Sequence, residues 1–139
     1  RMTEILKSKE LSVLIGDDEA HIWDLLEFTL KRCNLFSSIV SSTSAQVALQ
    51  KIRNQNFDLI ILDNQMPDKM GMEIIEILSQ SLRFNEYCII FMSGAMQNEH
   101  AIKAIKLGIK NFLVKPFTRK GLLKAVLKAL NEAKSVEFE

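Results

Sequence analysis

Phe57-Asp58-Leu59-Ile60-Ile61-Leu62-Asp63-Asn64-Gln65-Met66-Pro67 is the stretch whose reading decides the fold. Four apolar residues, Leu59 to Leu62, run unbroken into Asp63. A short apolar run bounded by turn residues predicts a strand over 57–62 that is buried on both faces, as in a parallel sheet. Pro67 cannot continue a ladder, so the strand ends close to Asp63. In an open α/β sheet, ligands bind at the carboxyl ends of the strands. A carboxylate there can hold a cation or act as a nucleophile. Alone, the same aspartate reads better as a solvated turn residue; the other strands reverse that preference.

Outward from that stretch, strands alternate with helical patterns. Leu11–Ile15 reads as a strand followed by Gly16-Asp17-Asp18-Glu19, with Asp18 placed to cap a helix over 19–33 and Glu19 suited to its first turn. Ile22, Leu25, Leu26 and Thr29 make that helix's stripe, with His21 and Trp23 on other faces. Phe36–Ser41 is a second strand, and Thr43 or Ser44 can cap a second helix striped by Ala45, Ala48, Leu49 and Ile52. After the 57–62 strand and a loop through Gly71, a third helix faces Met72, Ile75, Leu78 and Leu82 inward. Cys88–Met92 is a fourth strand ending at Ser93-Gly94-Ala95. A fourth helix over about 97–107 carries apolar Ala101, Ile102 and Ile105 and stops at Gly108. Asn111–Val114 is a fifth strand ending at Lys115-Pro116-Phe117. Thr118 can cap a last helix striped by Leu122, Leu123, Val126, Leu127 and Leu130. This alternation predicts an α/β fold: a parallel sheet with helices on both faces and right-handed crossovers. Residues 1–10 read as a flexible lead-in, 11–134 as the domain and 135–139 as a C-terminal tail.

The chain's 139 residues suffice for one domain with a full core. Apolar runs are short and no signal peptide opens the sequence, so the expected address is cytoplasmic, away from membranes. Cys33 and Cys88 lack metal-ligand spacing and read as free thiols. Charge is unevenly placed: residues 1–99 hold 9 basic and 14 acidic side chains, a net −5, and residues 100–139 hold 9 and 3, a net +6. A basic last part can attract an acidic partner. Direct nucleic-acid binding is not expected, because no recognition motif accompanies the charge.

Four strand ends carry residues suited to one task. The first strand ends at Asp17 and Asp18, the third at Asp63, the fourth at Ser93 and the fifth at Lys115. In a parallel sheet these ends share an edge. Carboxylates brought together repel, and a divalent cation removes that penalty. Hard oxygen donors in small number suit Mg²⁺, which often shares its shell with phosphate oxygens. A hydroxyl from Ser93 and an ammonium from Lys115 complement a phosphoryl group, and Asp63 can attack phosphorus to give an acyl phosphate.

The motifs Leu14-Ile15-Gly16-Asp17-Asp18-Glu19, Leu62-Asp63-Asn64-Gln65-Met66-Pro67, Met92-Ser93-Gly94-Ala95 and Lys115-Pro116-Phe117 resemble those of a response-regulator receiver domain of two-component signalling, the chemotaxis-regulator type. The resemblance covers about residues 11–133. It implies a flavodoxin-like (βα)5 fold with a five-stranded sheet in the order 2-1-3-4-5 and Mg²⁺ at its edge. It further implies that Asp63 accepts phosphate from a kinase phosphohistidine, and that Asp18 and Asp63 bind Mg²⁺ directly with help from the Gln65 backbone carbonyl. Asp17 then acts mostly through water, while Ser93 and Lys115 hold the phosphoryl oxygens. Phe112 matches the aromatic that turns inward when Ser93 is drawn to the phosphate, although core packing explains it too. The Lys115–Pro116 bond is implied to be cis. Gln65 and Ala95 occupy positions linked in the family to acyl-phosphate lifetime, and Gly16 stands where an apolar residue is usual.

The function implied is a phosphoacceptor switch rather than an enzyme, with slow self-dephosphorylation. Its partners are a sensor histidine kinase or phosphotransfer protein and a downstream protein target. No second domain follows the last helix in the sequence, so output is expected through protein contact at the fourth helix, fifth strand and fifth helix, where Lys103, Lys106, Lys110, Lys120, Lys124 and Lys128 cluster. Two alternatives stay open: a docking module of the same fold that works without phosphorylation, and a Mg²⁺-dependent phosphatase that uses an aspartyl phosphate. The phosphatase would need a second catalytic aspartate where Gln65 stands. A nucleotide- or flavin-binding module is disfavoured, since no phosphate-cradling glycine loop is present.

Overall fold

The computed structural model describes residues 10–94 and 99–138. Residues 1–9 of the lead-in, the first residues expected for the fourth helix, and Ala95 lie outside the described residues. The elements are β1 (Leu11–Gly16), α1 (Ala20–Arg32), β2 (Phe36–Ser42), α2 (Ala45–Asn54), β3 (Leu59–Asp63), α3 (Gly71–Ser79), β4 (Ile89–Ser93), α4 (Glu99–Leu107), β5 (Asn111–Val114) and α5 (Arg119–Phe138). A single 3₁₀ turn, Phe84–Glu86, precedes β4. The strands form one parallel sheet in the order β2-β1-β3-β4-β5, as expected.

The apolar run after Phe57 behaves as a strand buried on both faces must. Successive side chains alternate: Leu59 and Ile61 join Val13, Ile15, Ile90 and Met92 in a core with Leu26 and Leu30 of α1 and Leu122, Val126 and Leu130 of α5. Ile60 and Leu62 join Leu14, Ile89 and Phe91 in a second core with residues of α2, α3 and α4. All five residues of β3 and of β4 are buried. Cys33 and Cys88 are half-buried and form no disulfide.

Several expectations are corrected. β3 begins at Leu59, since Phe57 and Asp58 precede the ladder, where the Asp58 carboxylate accepts from the Ser12 amide at 2.8 Å. Leu82 does not face inward but is fully exposed. Its spacing from Leu78 continues the helical period, yet α3 has already ended: the Ser79 hydroxyl donates to the Glu76 carbonyl, and the Arg83 amide donates to the Ser81 hydroxyl. In α4 the buried residues are Ala101 and Ala104, while Ile102 and Ile105 are 43% and 50% exposed. Trp23 is partly buried and packs on the α1–α5 core. α5 continues as helix through Phe138, into the stretch read as a tail.

Caps follow local chemistry. The Ser44 hydroxyl accepts from the Val47 amide, and the Thr118 hydroxyl accepts from the Gly121 amide. Gly108 ends α4 at φ +111°, a left-handed conformation that favours glycine. The Lys115–Pro116 bond is cis.

Candidate functional site

The parallel register delivers each expected group to one edge. Gly16 is level with Leu62, Asp63 with Met92, and Ser93 with Val114. Asp17, Asn64 and Lys115 therefore follow directly from paired strands, and their amides still bond across: Asp17 to the Ser42 carbonyl, Asn64 to Met92 and Lys115 to Ser93. Asp17, Asp18 and Asp63 offer carboxylate oxygens that all lie within 4.8 Å of one another. Asp17 and Asp63 are buried, and Asp18 is exposed. Lys115 Nζ donates to Asp63 Oδ2 at 2.7 Å and to Glu19 Oε1 at 2.9 Å, and stands 3.7 Å from Asp17 Oδ2.

The electrostatics are those of an underneutralised acidic pocket. Burial pushes Asp17 up to about 6, with Asp63's charge adding to the rise, while the Glu19 amide and Lys115 oppose it. Asp63 is also raised, chiefly by burial, against the pull of its Lys115 hydrogen bond. For Lys115, burial works to lower the value, but hydrogen bonds to Asp63 and Glu19 prevail and hold it above the ordinary lysine range. Glu19, half-exposed, is lowered by its hydrogen bond from Lys115.

Asp17 also supplies a test of whether a cation fits. Its Oδ1 accepts from the Glu19 amide at 2.8 Å, whereas Oδ2 is buried with no hydrogen-bond partner. Lys115 lies 3.7 Å from that oxygen, an ion-pair distance with no hydrogen bond, so Oδ2 keeps a free coordination direction, and three convergent hard donors suit Mg²⁺. The expectation that Asp18 caps α1 is corrected: Glu19 is the N-cap residue, its side chain makes no cap hydrogen bond, and the Asp17 carboxylate accepts from the Glu19 amide just ahead of the helix.

The remaining expected residues surround this cluster. Ser93 is buried at the end of β4, one residue past the partner of Asp63. Gln65 is exposed and its amide reaches Asp63 Oδ1 at 3.3 Å. Phe112 is partly buried in the α2–α4 core, edge-on to Phe91, with ring centroids 6.1 Å apart.

Three contributors were not singled out in the sequence. Glu19, read only as a helix-start residue, shares Lys115 with the aspartates. Asp68 reaches back from the β3–α3 loop to the start of α2, accepting from the Ala45 and Gln46 amides at 2.8 and 3.0 Å and from the Ser44 hydroxyl. Gly71 lets α3 begin directly beneath the site, because a Cβ there would collide with the Asp63 carbonyl. Of these, the Asp17-Asp18-Glu19 run was the available signal for Glu19; the contacts of Asp68 and Gly71 leave no periodic trace.

A doubly wound sheet with an acidic, lysine-flanked pocket at its carboxyl edge defines the class, a flavodoxin-like α/β domain with a polar site outside its strand ends. The chain belongs to the response regulator receiver domain family, whose model matches residues 13–127. It is similar to the chemotaxis protein CheY of Bacillus subtilis, 31% identical over 120 residues that cover 86% of this chain and 97% of that protein. It is also similar to the transcriptional regulatory protein CitT of the same organism, 28% identical over 108 residues. That match takes in 78% of this chain, which spans only about half the length of that relative (47%). Among solved structures, a CheY-like receiver domain protein from Methanospirillum hungatei superposes with a TM-score of 0.81 at 25% identity, covering 91% of this chain and 98% of that one. Among the described residues, no helix is long and apolar enough to cross a membrane.

Proposed function

We propose that this receiver domain is a phosphoacceptor switch in which Asp63 takes a phosphoryl group from the phosphohistidine of a sensor kinase or phosphotransfer protein. An Asp63 carboxylate oxygen forms the new bond to phosphorus as the phosphorus–nitrogen bond of the donor breaks, and the leaving imidazole takes up a proton. Asp17, Asp18, Asp63 and the Gln65 carbonyl would hold Mg²⁺. The bound ion supplies charge neutralisation for the phosphoryl oxygens. Lys115, held between Asp63 and Glu19, presents its ammonium where those oxygens form. Ser93 lies at the same edge to donate a hydroxyl hydrogen bond, with Phe112 packed behind as the aromatic that follows it. The observation that carries this reading is the convergence of three carboxylates and Lys115, with Lys115 2.7 Å from Asp63.

The output surface in this reading is α4, β5 and α5, meeting a protein target in the cytoplasm. Exposed Ile102, Ile105 and Val114 beside exposed Lys106, Lys110, Lys120 and Lys124 support it, as a mixed apolar and basic patch suits an acidic protein surface.

Incubation with Mg²⁺ and a small acyl-phosphate donor, read by intact mass, tests the assignment. One added phosphoryl group is expected on the intact chain and none on Asp63→Asn. Equal labelling of both overturns it.

A further inference from the structure

Asn64, the residue after the proposed acceptor, is only 4% exposed, and its polar groups join four elements. Its amide donates to the Met92 carbonyl of β4 at 3.0 Å, and its own carbonyl, at the end of β3, accepts from the Gly71 amide at 2.6 Å. Its side-chain Oδ1 accepts from the Met72 amide in the first turn of α3 at 3.0 Å. Its Nδ2 lies 2.8 Å from Nδ1 of His100, in the first turn of α4.

The chemistry of this chain of bonds leaves one arrangement. The Met72 amide is a donor, so the end of Asn64 facing it must be the oxygen. The other end is therefore an NH₂ group, which only donates. His100 Nδ1 must offer a lone pair, which makes the imidazole neutral with its proton on Nε2.

The bond adds a polar tie to the packing of α4, in which Ala104 joins the α2–α4 core and Leu107 packs against it. Ala101 and Ala104 are its buried side chains, the larger Ile102 and Ile105 point outward, and its ion pair to α3, Lys103 with Glu76, is between half-exposed side chains. Surface pairs of that kind hold weakly. A hydrogen bond from a buried amide is a larger share of the total, and it ends one residue from Asp63.

The geometry points to His100 as a positioning residue, coupling α4 to the phosphorylation state of Asp63 through its hydrogen bond from Asn64. This deepens the phosphoacceptor reading and rests on it. The bond belongs to the unmodified arrangement. In the proposed coupling, a phosphoryl group admitted at the ends of β3 and β4 strains or breaks it. Coupling is reciprocal, so a variant that lacks the bond has less to give up and takes the phosphoryl mimic more tightly.

The test titrates beryllofluoride in the presence of Mg²⁺ into the unaltered chain, His100→Phe and His100→Asn, following NMR signals. His100→Phe keeps a ring but removes the acceptor, and is expected to bind about fivefold more tightly. His100→Asn places an amide oxygen close to where Nδ1 was and is expected to restore the original affinity. Unchanged affinity in His100→Phe, or an Asn variant that behaves like Phe, overturns the coupling. A second measurement stands without any variant at position 100. Long-range ¹H–¹⁵N spectra, assigned with His21→Gln, should show His100 Nδ1 unprotonated and its signal changed by beryllofluoride. A protonated Nδ1 in the free protein, or an unmoved signal, also overturns it. No Mg²⁺-dependent binding to any of the three proteins would instead bring down the phosphoacceptor reading, and the coupling with it.

Discussion

Helices α4 and α5 flank β5 in the sequence, and the structure anchors them very differently. α5 buries Leu122, Val126, Ala129 and Leu130 against the sheet and α1. α4 buries two alanines and turns two isoleucines to solvent. At about 25 cal/mol per Å² of apolar area, large side chains removed from water anchor an element far more firmly than methyl groups do. One side of the edge strand is thus a fixed wall, and the other is adjustable at low energy. If the domain acts as the proposed switch, that asymmetry lets its surface change without unfolding.

The largest effect expected from breaking this contrast is at Leu122, which is fully buried. Leu122→Ala should lower unfolding free energy by about 2–5 kcal/mol in urea denaturation, the range for leucine cavities in a packed core. A loss below about 1 kcal/mol would mean that α5 is not the wall described.

An intermediate effect concerns the sheet face that α5 covers. There the alternation Val13, Ile15 continues to Asp17, so the firm side also carries the buried carboxylate. Asp17 titrates near 6 when folded and near 3.8 when unfolded. Between those values the folded state holds the extra proton, so without metal this group's contribution falls as pH rises. Its penalty is complete above about 6 and absent once pH is below the unfolded value. Asp17→Asn keeps an oxygen for the Glu19 amide and removes the charge. It should stabilise the metal-free protein at pH 7 by on the order of 1–3 kcal/mol and flatten the slope between pH 4 and 6 in thermal melts. A variant less stable than the parent at pH 7 would show that Lys115 already neutralises the site.

The smallest effect belongs to α4. Ile105→Ala should shift stability by no more than about 0.5 kcal/mol, because half of that side chain is already in water. A larger loss in the same denaturation assay would place Ile105 in the core and erase the contrast.

Most of this was legible in the residues. Leu59 to Leu62 and Ile89 to Met92 are continuous apolar runs, so strands buried on both faces were the economical reading, and the chemistry at their ends followed from parallel pairing. Boundaries failed where period and termination disagree, as at Leu82, which keeps helical spacing after serine side chains have ended α3. The apolar trio of α4, Ala101, Ile102 and Ile105, left its orientation open. Hydrophobicity alone could not say that the alanines, and not the isoleucines, would meet α3. Within the site, the aspartates and Lys115 were recoverable because each closes a strand. The bond between Asn64 and His100 was not, since pairing across 36 residues leaves no pattern in the sequence.

The reach of Asp68 back to the start of α2 has its own consequence. Backbone amides of Gln46 and Ala45 hold its carboxyl down to about 2, so it stays ionised at any acidity a cell meets. Asp17, at the end of β1, is instead raised to about 6, chiefly by burial. On mild acidification a proton would therefore compete with any cation at Asp17, while Asp68 keeps the β3–α3 loop clasped to the start of α2.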